Sequence, residues 1–114
     1  MTTNALRELK SLLAPVLPVE TGVFSGVAPE TYAVLTPLID LDELFGDNRP
    51  EYEVQEVRIS IYTQSNYLAL KNRIVKLLYD ADFTVTEKRY IEHEDDTGYY
   101  HYAIDVAKQY ETEE

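Results

Sequence analysis

The chain has 114 residues, no cysteine and a formal net charge of −11, which arises from 21 acidic and 10 basic side chains. This length suits one domain with a modest core, and the lack of cysteine excludes disulfides and thiolate metal sites. The negative charge opposes direct binding to nucleic acid or to anionic membranes. No apolar run approaches the ~20 residues of a membrane span, and the first residues lack the layout of a secretory signal, so we expect a soluble chain without a cleaved signal.

The chain is predicted to begin with a short helix and an irregular connection. Four leucines recur at helical spacing within residues 3–13, which predicts a helix that ends before Pro15. Residues 15–30 hold three of the five prolines and two of the four glycines, a composition typical of a winding connection. We expect one short extended piece within it, at residues 19–24.

An edge strand and an acidic loop are predicted next. Residues 31–38 have strand character, but Pro37 cannot donate to a β-ladder, so we expect this strand to lie at an edge of the sheet. Residues 40–53 mix acidic and apolar side chains and are interpreted as a loop. Its Leu44 and Phe45 are too few to form a core of their own, so they must dock on this domain or on a neighbouring chain.

The centre of the predicted fold is a strand at residues 52–62 that leads through a polar turn into a helix at residues 67–79. Apolar and polar residues alternate in the strand, which predicts one buried face. The alternation slips near Gln55 and Glu56, which predicts a β-bulge there. The helix carries one apolar stripe, and its basic flank consists of Lys71, Arg73 and Lys76.

The last predicted unit is a β-hairpin with strands at residues 82–92 and 99–110. Between them lies a polar turn in which Gly98 is expected to take a positive φ, and residues 111–114 are expected to fray. The whole chain therefore predicts a single α+β domain. An antiparallel sheet of about four strands carries the central amphipathic helix, with both at residues 31–110 and a short N-terminal helix before them.

Few residues are candidates for metal binding or catalysis. Asp40 and Asp42 carry carboxylates but lack the spacing of a calcium loop. His93 and His101 flank the predicted turn, but a zinc site needs three or four ligands in fixed geometry, so surface histidines are favoured. No nucleophile or phosphate-binding motif is present. We therefore expect no catalytic residue, metal or cofactor, and a hydrolase that uses Asp40, Asp42 and His93 is the least favoured alternative.

The order of these elements resembles a family of small tail-completion proteins, also called tail terminators or tail-to-head joining proteins, of long-tailed bacteriophages and prophages. The resemblance covers residues 15–110. Two of its stretches are EVQEVRISIY in the central strand and YHYAIDV in the last strand. In full it rests on residues 26–32, 53–62, 67–79, 82–85 and 100–106.

This resemblance implies a structural virion protein without enzymatic activity. It implies an α+β subunit, with an antiparallel sheet and flanking helices, that assembles as a hexameric ring at the head-proximal end of the tail tube. In that family the ring halts polymerisation of the tube and offers a surface to the head connector. The implied partners are further copies of the chain, the tail-tube protein and head-connector proteins. The implied location is the virion tail or neck, after assembly in the bacterial host cytoplasm.

A ring of identical subunits needs two different, complementary surfaces on each chain. We hypothesise that the acidic segment of one subunit meets the basic helix flank of the next. The predicted interface residues are Asp40, Asp42, Glu43, Leu44 and Phe45 on the acidic segment and Lys71, Arg73 and Lys76 on the helix. Two alternatives stay open. One is another connector or head-completion protein, and the other is a monomeric acidic protein-binding module with one continuous acidic patch.

Overall fold

The computed structural model describes residues 4–23, 26–46 and 49–111, and at residues 41–46 and 49–51 it describes the backbone alone. Two helices and five strands make up the described chain, and the predicted α+β class is confirmed. Four predictions extend beyond the described residues: residue 3 of the first helix, residue 24 of the extended piece, residues 47–48 of the acidic loop and residues 112–114 of the frayed tail. In chain order the elements are α1 (Ala5–Leu13), β1 (Val19–Thr21), β2 (Thr31–Gly46), β3 (Arg49–Thr63), α2 (Tyr67–Asp80), β4 (Thr84–His93) and β5 (Tyr100–Glu111).

The strands form one sheet in the order β1-β2-β3-β5-β4. β1 is the extended piece expected after α1, and it adds a fifth strand because it pairs in parallel with β2, from Val19 opposite Ala33 to Thr21 opposite Leu35. The other neighbouring strands pair antiparallel. The prediction that β2 is an edge strand is therefore wrong over this stretch. It holds from Thr36 onward, where β3 is the only partner of β2 in the described chain.

Residues 40–46 and 49–53 of the acidic segment are the distal parts of two long antiparallel strands, and the prediction of a loop is wrong for them. β2 continues to Gly46 and β3 begins at Arg49, so both strands are longer than predicted. Acidic residues have low strand propensity, but pairing of the two strands satisfies their backbone groups and overrides that propensity. β5 reaches Glu111 opposite Tyr52, so the described sheet has only two strands beyond this level. We refer to residues 40–53 as the acidic arm.

The strand irregularity predicted near residues 55–56 of β3 lies on β2 instead. β3 pairs with β5 in unbroken register, whereas the pairing of β2 with β3 shifts between Pro37 and Ile39 and leaves Leu38 as the extra residue. Pro37 has no N–H with which to continue the ladder, so the bulge forms on its strand. Leu38 and Ile39 are both exposed at this bulge.

Both helices pack on one face of the sheet and share a single core with it. Asn4 Oδ1 accepts from the N–H of Arg7 at 2.8 Å and caps α1. Asn66 Oδ1 accepts from the N–H of Ala69 at 3.1 Å and caps α2. α2 takes the place predicted for the central helix and ends at Asp80. The large, fully buried side chains of the core include Leu9, Leu13, Leu35, Ile59, Ile61, Ile74, Leu78, Ile104 and Val106.

The predicted C-terminal hairpin is confirmed as β4 and β5. Gly98 in its turn has a φ of 81°, in the left-handed region that favours glycine. β4 is the outer strand of this hairpin. Its register with β5 shifts twice, between Val85 and Glu87 and between Tyr90 and Glu92. Irregularities of this kind twist an edge strand away from further pairing.

A cluster of polar side chains ties both helices to β5. The Lys108 ammonium group donates to the carboxylate of Glu8 on α1 at 2.8 Å, and to the carbonyl of Ala81 at the C-cap of α2, also at 2.8 Å. The Tyr110 hydroxyl donates to the other oxygen of Glu8 at 2.7 Å. Gln55, opposite Lys108 in the register, accepts from the first backbone N–H of α1 at 2.7 Å. The base of the acidic arm is therefore level with the C-terminal end of α2.

Candidate interaction surfaces

The five predicted interface residues of the acidic segment lie on β2, within the acidic arm. Asp40 is exposed and lies opposite Gln55 in the strand register. Two residues further along, Asp42 lies opposite Glu53, and like charges in this position destabilise an antiparallel pair. The structure describes the backbone alone for the other predicted residues, so their contacts stay predictions: Asp42, Glu43, Leu44 and Phe45.

The three predicted basic residues lie on α2 but do not share one environment. Lys71 is partly buried, and its ammonium nitrogen lies 5.9 Å from the centroid of the Tyr102 ring on β5. Arg73 and Lys76 are exposed, and no ion pair joins either of them to another described side chain. The three are close along the chain, but the rotation of the helix turns Lys71 toward the sheet and the other two toward solvent.

α2 also exposes a stripe of side chains that the sequence analysis did not identify. Its members are spaced by three and four residues, the intervals at which side chains share one face of a helix. Leu68 is 51 % exposed at one end and Tyr79 is 56 % exposed at the other, although both are large apolar side chains. We refer to this set as the outer stripe, and it consists of Leu68, Asn72, Lys76 and Tyr79.

The sheet face opposite the helices carries a row of aromatic rings. The rings of Tyr32, Tyr62 and His101 stack across β2, β3 and β5, with centroids 4.8 and 4.3 Å apart. Tyr99 contacts Tyr32 edge-on at 5.7 Å, and its hydroxyl donates to the carbonyl of Pro29 at 2.6 Å. Finding this row requires the register of three strands that are far apart in the chain, so the composition of single strands does not predict it.

The two histidines are not brought together as ligands of a metal. The His93 ring lies 4.4 Å from the ring of Tyr100, its partner in the register, whereas His101 is the next residue of β5 and faces the other side of the sheet. His101 Nε2 is buried and has no hydrogen-bond partner among the described residues. This burial lowers the pKa of the imidazole. Among the described residues, no three side chains of the ligating types are grouped as a metal site.

The residues of the hydrolase alternative lie far apart. In the strand register, Asp40 lies opposite Gln55 of β3, and Gln55 lies opposite Lys108 of β5. His93 lies opposite Tyr100 of β5. Eight positions along β5 separate these two levels, which is roughly 27 Å at ~3.4 Å per residue. Asp40 and His93 therefore do not line a common cleft.

Comparison with known proteins does not assign a function to the chain. No protein-family model matches it. A search of curated proteins also finds no significant match. In the part of the chain that the structure describes, no helix is long and apolar enough to span a bilayer. The function is therefore argued below from the acidic arm, from the exposed side of α2 and from the sheet edges.

Proposed function

We propose that this chain is a structural assembly protein of a phage or prophage tail, which ends growth of the tail tube and joins the tail to the head connector. The order of its elements resembles tail-completion proteins, and an α+β subunit with its helices on one face of a mostly antiparallel sheet agrees with that resemblance. In this role the copies form a hexameric ring in the virion tail or neck, after assembly in the host cytoplasm. The ring catalyses no reaction and does not bind nucleic acid directly.

The observation that carries the proposal is a pair of unlike surfaces with opposite charge on separate elements. The acidic arm extends beyond Glu111, the last described residue of β5. On α2, Arg73 and Lys76 present cations that no described side chain neutralises. Head-to-tail contact between two such surfaces produces a ring when the rotation between neighbours closes. Charge complementarity of this kind also sets the register and orientation of association.

A monomeric acidic binding module is the candidate from another class, and it requires one continuous acidic patch. The acidic arm begins at the level of Lys108, whereas Glu94, Asp95 and Asp96 follow β4 near Tyr100, at the other end of β5. These two acidic groups therefore lie at opposite ends of the sheet. Their separation argues against one continuous acidic patch made of both groups.

Tube length and oligomeric mass together test the proposal. The tail-tube protein of the same phage or prophage is polymerised with and without the purified chain, and tube lengths are measured by electron microscopy. Native mass spectrometry records the mass of the chain alone and with tube protein. We expect rings at tube ends and shorter tubes. A chain that stays monomeric with tube protein and leaves tube length unchanged contradicts the proposal, and rings that bind only connector proteins indicate a head-completion protein.

A further inference from the structure

The outer stripe of α2 has apolar ends and a cationic centre. Leu68 and Tyr79 are its exposed ends, Lys76 lies between them, and exposed Arg73 borders it. The stripe covers eleven residue steps, which is roughly 16 Å at ~1.5 Å per residue. An exposed surface of this composition suits a partner segment that carries both carboxylates and apolar side chains.

The acidic arm has this composition and a similar length. Residues 40–45 read Asp-Leu-Asp-Glu-Leu-Phe and form part of β2. Five steps of an antiparallel strand cover roughly 17 Å, close to the length of the outer stripe. Within the arm, Asp42 lies opposite Glu53 in the register. Two acidic residues are therefore neighbours in the register at this position, which suits a cationic partner.

The arm and the outer stripe of one chain extend in opposite directions. Lys108 donates to Ala81 at the C-cap of α2, and from this level the arm runs past the end of β5. From the same level, α2 extends toward the opposite end of the sheet, because the ring of Tyr67 in its first turn contacts the rings of Tyr100 and Tyr102 near the start of β5. Contact between the arm and the outer stripe therefore joins two copies of the chain.

The edges of the sheet are poorly suited to joining copies by strand addition. β4 has two register shifts against β5. On the other side, the edge strand β1 has only three residues, and the free side of β2 beyond it begins at Thr36 and continues with Pro37 and the bulge at Leu38. Proline, bulges and charged residues are the features that prevent pairing at strand edges. Association through an arm and a helix face avoids both edges.

We propose that the outer stripe of α2, together with Arg73, is the docking surface for the acidic arm of a neighbouring copy. This inference rests on the proposed ring and names the contact that forms it. It differs from the interface predicted from the sequence, because Lys71 lies over the Tyr102 ring of its own subunit and is left out of the proposed docking surface. The partner of the docking surface is the segment at residues 40–45 of a second copy, whose sequence contains three carboxylates, two leucines and one phenylalanine.

Cross-linking between singly substituted chains tests which surfaces meet. The chain has no cysteine, so each substitution introduces a single thiol. One preparation carries Asp40→Cys, Asp42→Cys or Leu44→Cys. The second preparation carries Lys76→Cys and a tag that makes its chain larger, so that heterodimers are identified by size. The two are mixed with tube protein and oxidised. The matched control replaces the second preparation with Lys88→Cys, an exposed lysine on β4. We expect at least about tenfold more disulfide-linked heterodimer with Lys76→Cys, because a disulfide requires Cα atoms within ~7 Å.

Native masses of the same samples separate the two proposals. Rings that give equal heterodimer yields with Lys76→Cys and Lys88→Cys, or none with any arm position, overturn the docking surface and leave the proposed function intact. Monomers in the presence of tube protein overturn both.

Charge reversal and its repair provide a second test. Arg73→Glu with Lys76→Glu is expected to weaken ring formation at least about tenfold. Adding Asp40→Lys and Asp42→Lys to that chain is expected to restore it. The matched control, Lys10→Glu with Lys88→Glu, makes the same change in net charge at exposed lysines of α1 and β4. Equal weakening by the control, or no restoration by the added lysines, overturns the inference.

Discussion

Arg58 and Asp105 form a bidentate ion pair that joins β3 to β5 on the sheet face opposite the helices. Arg58 Nε lies 2.8 Å from one carboxylate oxygen of Asp105, and Arg58 Nη2 lies 3.0 Å from the other. The hydrogen bond from Arg58 to Asp105 and the negative charge of Asp105 raise the pKa of the guanidinium. The Asp105 side chain is 10 % exposed and that of Arg58 is 37 % exposed. The carboxylate therefore depends on this contact more than the guanidinium does.

The unequal burial of the pair predicts unequal costs of substitution. Arg58→Met is expected to lower the free energy of unfolding by about 1–3 kcal/mol, because it leaves a nearly buried carboxylate without its cation. Asp105→Asn is expected to cost less, since Arg58 reaches water and the amide oxygen still accepts a hydrogen bond. Urea unfolding of the monomer, followed by circular dichroism, measures both values. A larger loss for Asp105→Asn contradicts this reasoning.

Stability is expected to fall in mild acid because His101 is packed as a neutral ring. Burial lowers the pKa of His101, against an opposite effect of Glu92 and Glu94. The unfolded chain therefore binds the proton first as the pH falls below about 6.5, and stability declines from there down to the pKa of the folded protein. Free energies of unfolding between pH 7.5 and pH 5, in steps of about half a unit, measure this decline.

His101→Phe keeps an aromatic ring in the stack and removes the titrating group. We expect a smaller acid decline in this variant than in the parent chain. His93→Gln is the matched control, because His93 lies on the other side of the sheet and its substitution leaves the stack in place. Parallel pH profiles for the parent chain and His101→Phe would show that other groups cause the decline.

The hydroxyl of Tyr110 is expected to stabilise the attachment of α1. Tyr110→Phe removes its hydrogen bond to Glu8 and is expected to lower the free energy of unfolding by about 0.5–1.5 kcal/mol. Tyr79→Phe is the matched control, because Tyr79 is exposed on α2 and its change is expected within about 0.5 kcal/mol. Thermal unfolding of the two variants compares them directly.

The same hydroxyl predicts a dependence on alkaline pH. Burial, the hydrogen bond to Glu8 and the charge of Glu8 raise the pKa of Tyr110 above its ordinary value of 10.0. As the pH rises, the unfolded chain therefore loses this proton first. The contribution of the protonated Tyr110 hydroxyl to stability is complete below about pH 10 and is lost as the pH rises through the pKa of the folded protein. The alkaline decline in stability is therefore expected to be smaller in Tyr110→Phe. An unchanged decline would contradict the assignment.

Elements with their own periodicity could be predicted from the sequence. The apolar stripe predicted the central helix at residues 67–79, and α2 spans Tyr67–Asp80. Alternation predicted the strands that became β3 and β5, and the positive φ of Gly98 followed from its place in a polar turn. These signals are local, because each depends on side chains within one or two turns of a helix or a few residues of a strand.

Features that depend on a distant partner could not be predicted. Residues 40–46 and 49–53 of the acidic arm are strands because β2 and β3 pair with each other there, although aspartate and glutamate disfavour strands. The bulge follows Pro37 on β2, while the slip in apolar pattern that suggested it lies on β3. Among the site residues, the sequence grouped Lys71 with Arg73 and Lys76, but the contact of Lys71 with Tyr102 depends on how α2 lies on the sheet.

Shortening the acidic arm is expected to separate assembly from folding. Replacing residues 44–51 with Asn-Gly places a two-residue turn after the pair of Glu43 and Tyr52. The removed residues lie beyond Glu111, the last described residue of β5, so we expect the free energy of unfolding to change by no more than about 1 kcal/mol. Ring formation with tube protein is expected to be lost, because the removed segment includes Leu44.

A matched variant distinguishes the charge of the arm from its length. It keeps the full length of the arm but carries Asp42→Asn and Glu43→Gln, so backbone pairing is retained while two charges are removed. We expect weakened rings whose stability falls less steeply as salt is added, because fewer charges of the arm remain to be screened. Thermal unfolding establishes that both variants fold, and tube lengths measure their activity. A shortened chain that still ends tube growth would show that residues 44–51 of the arm are not needed for the ring.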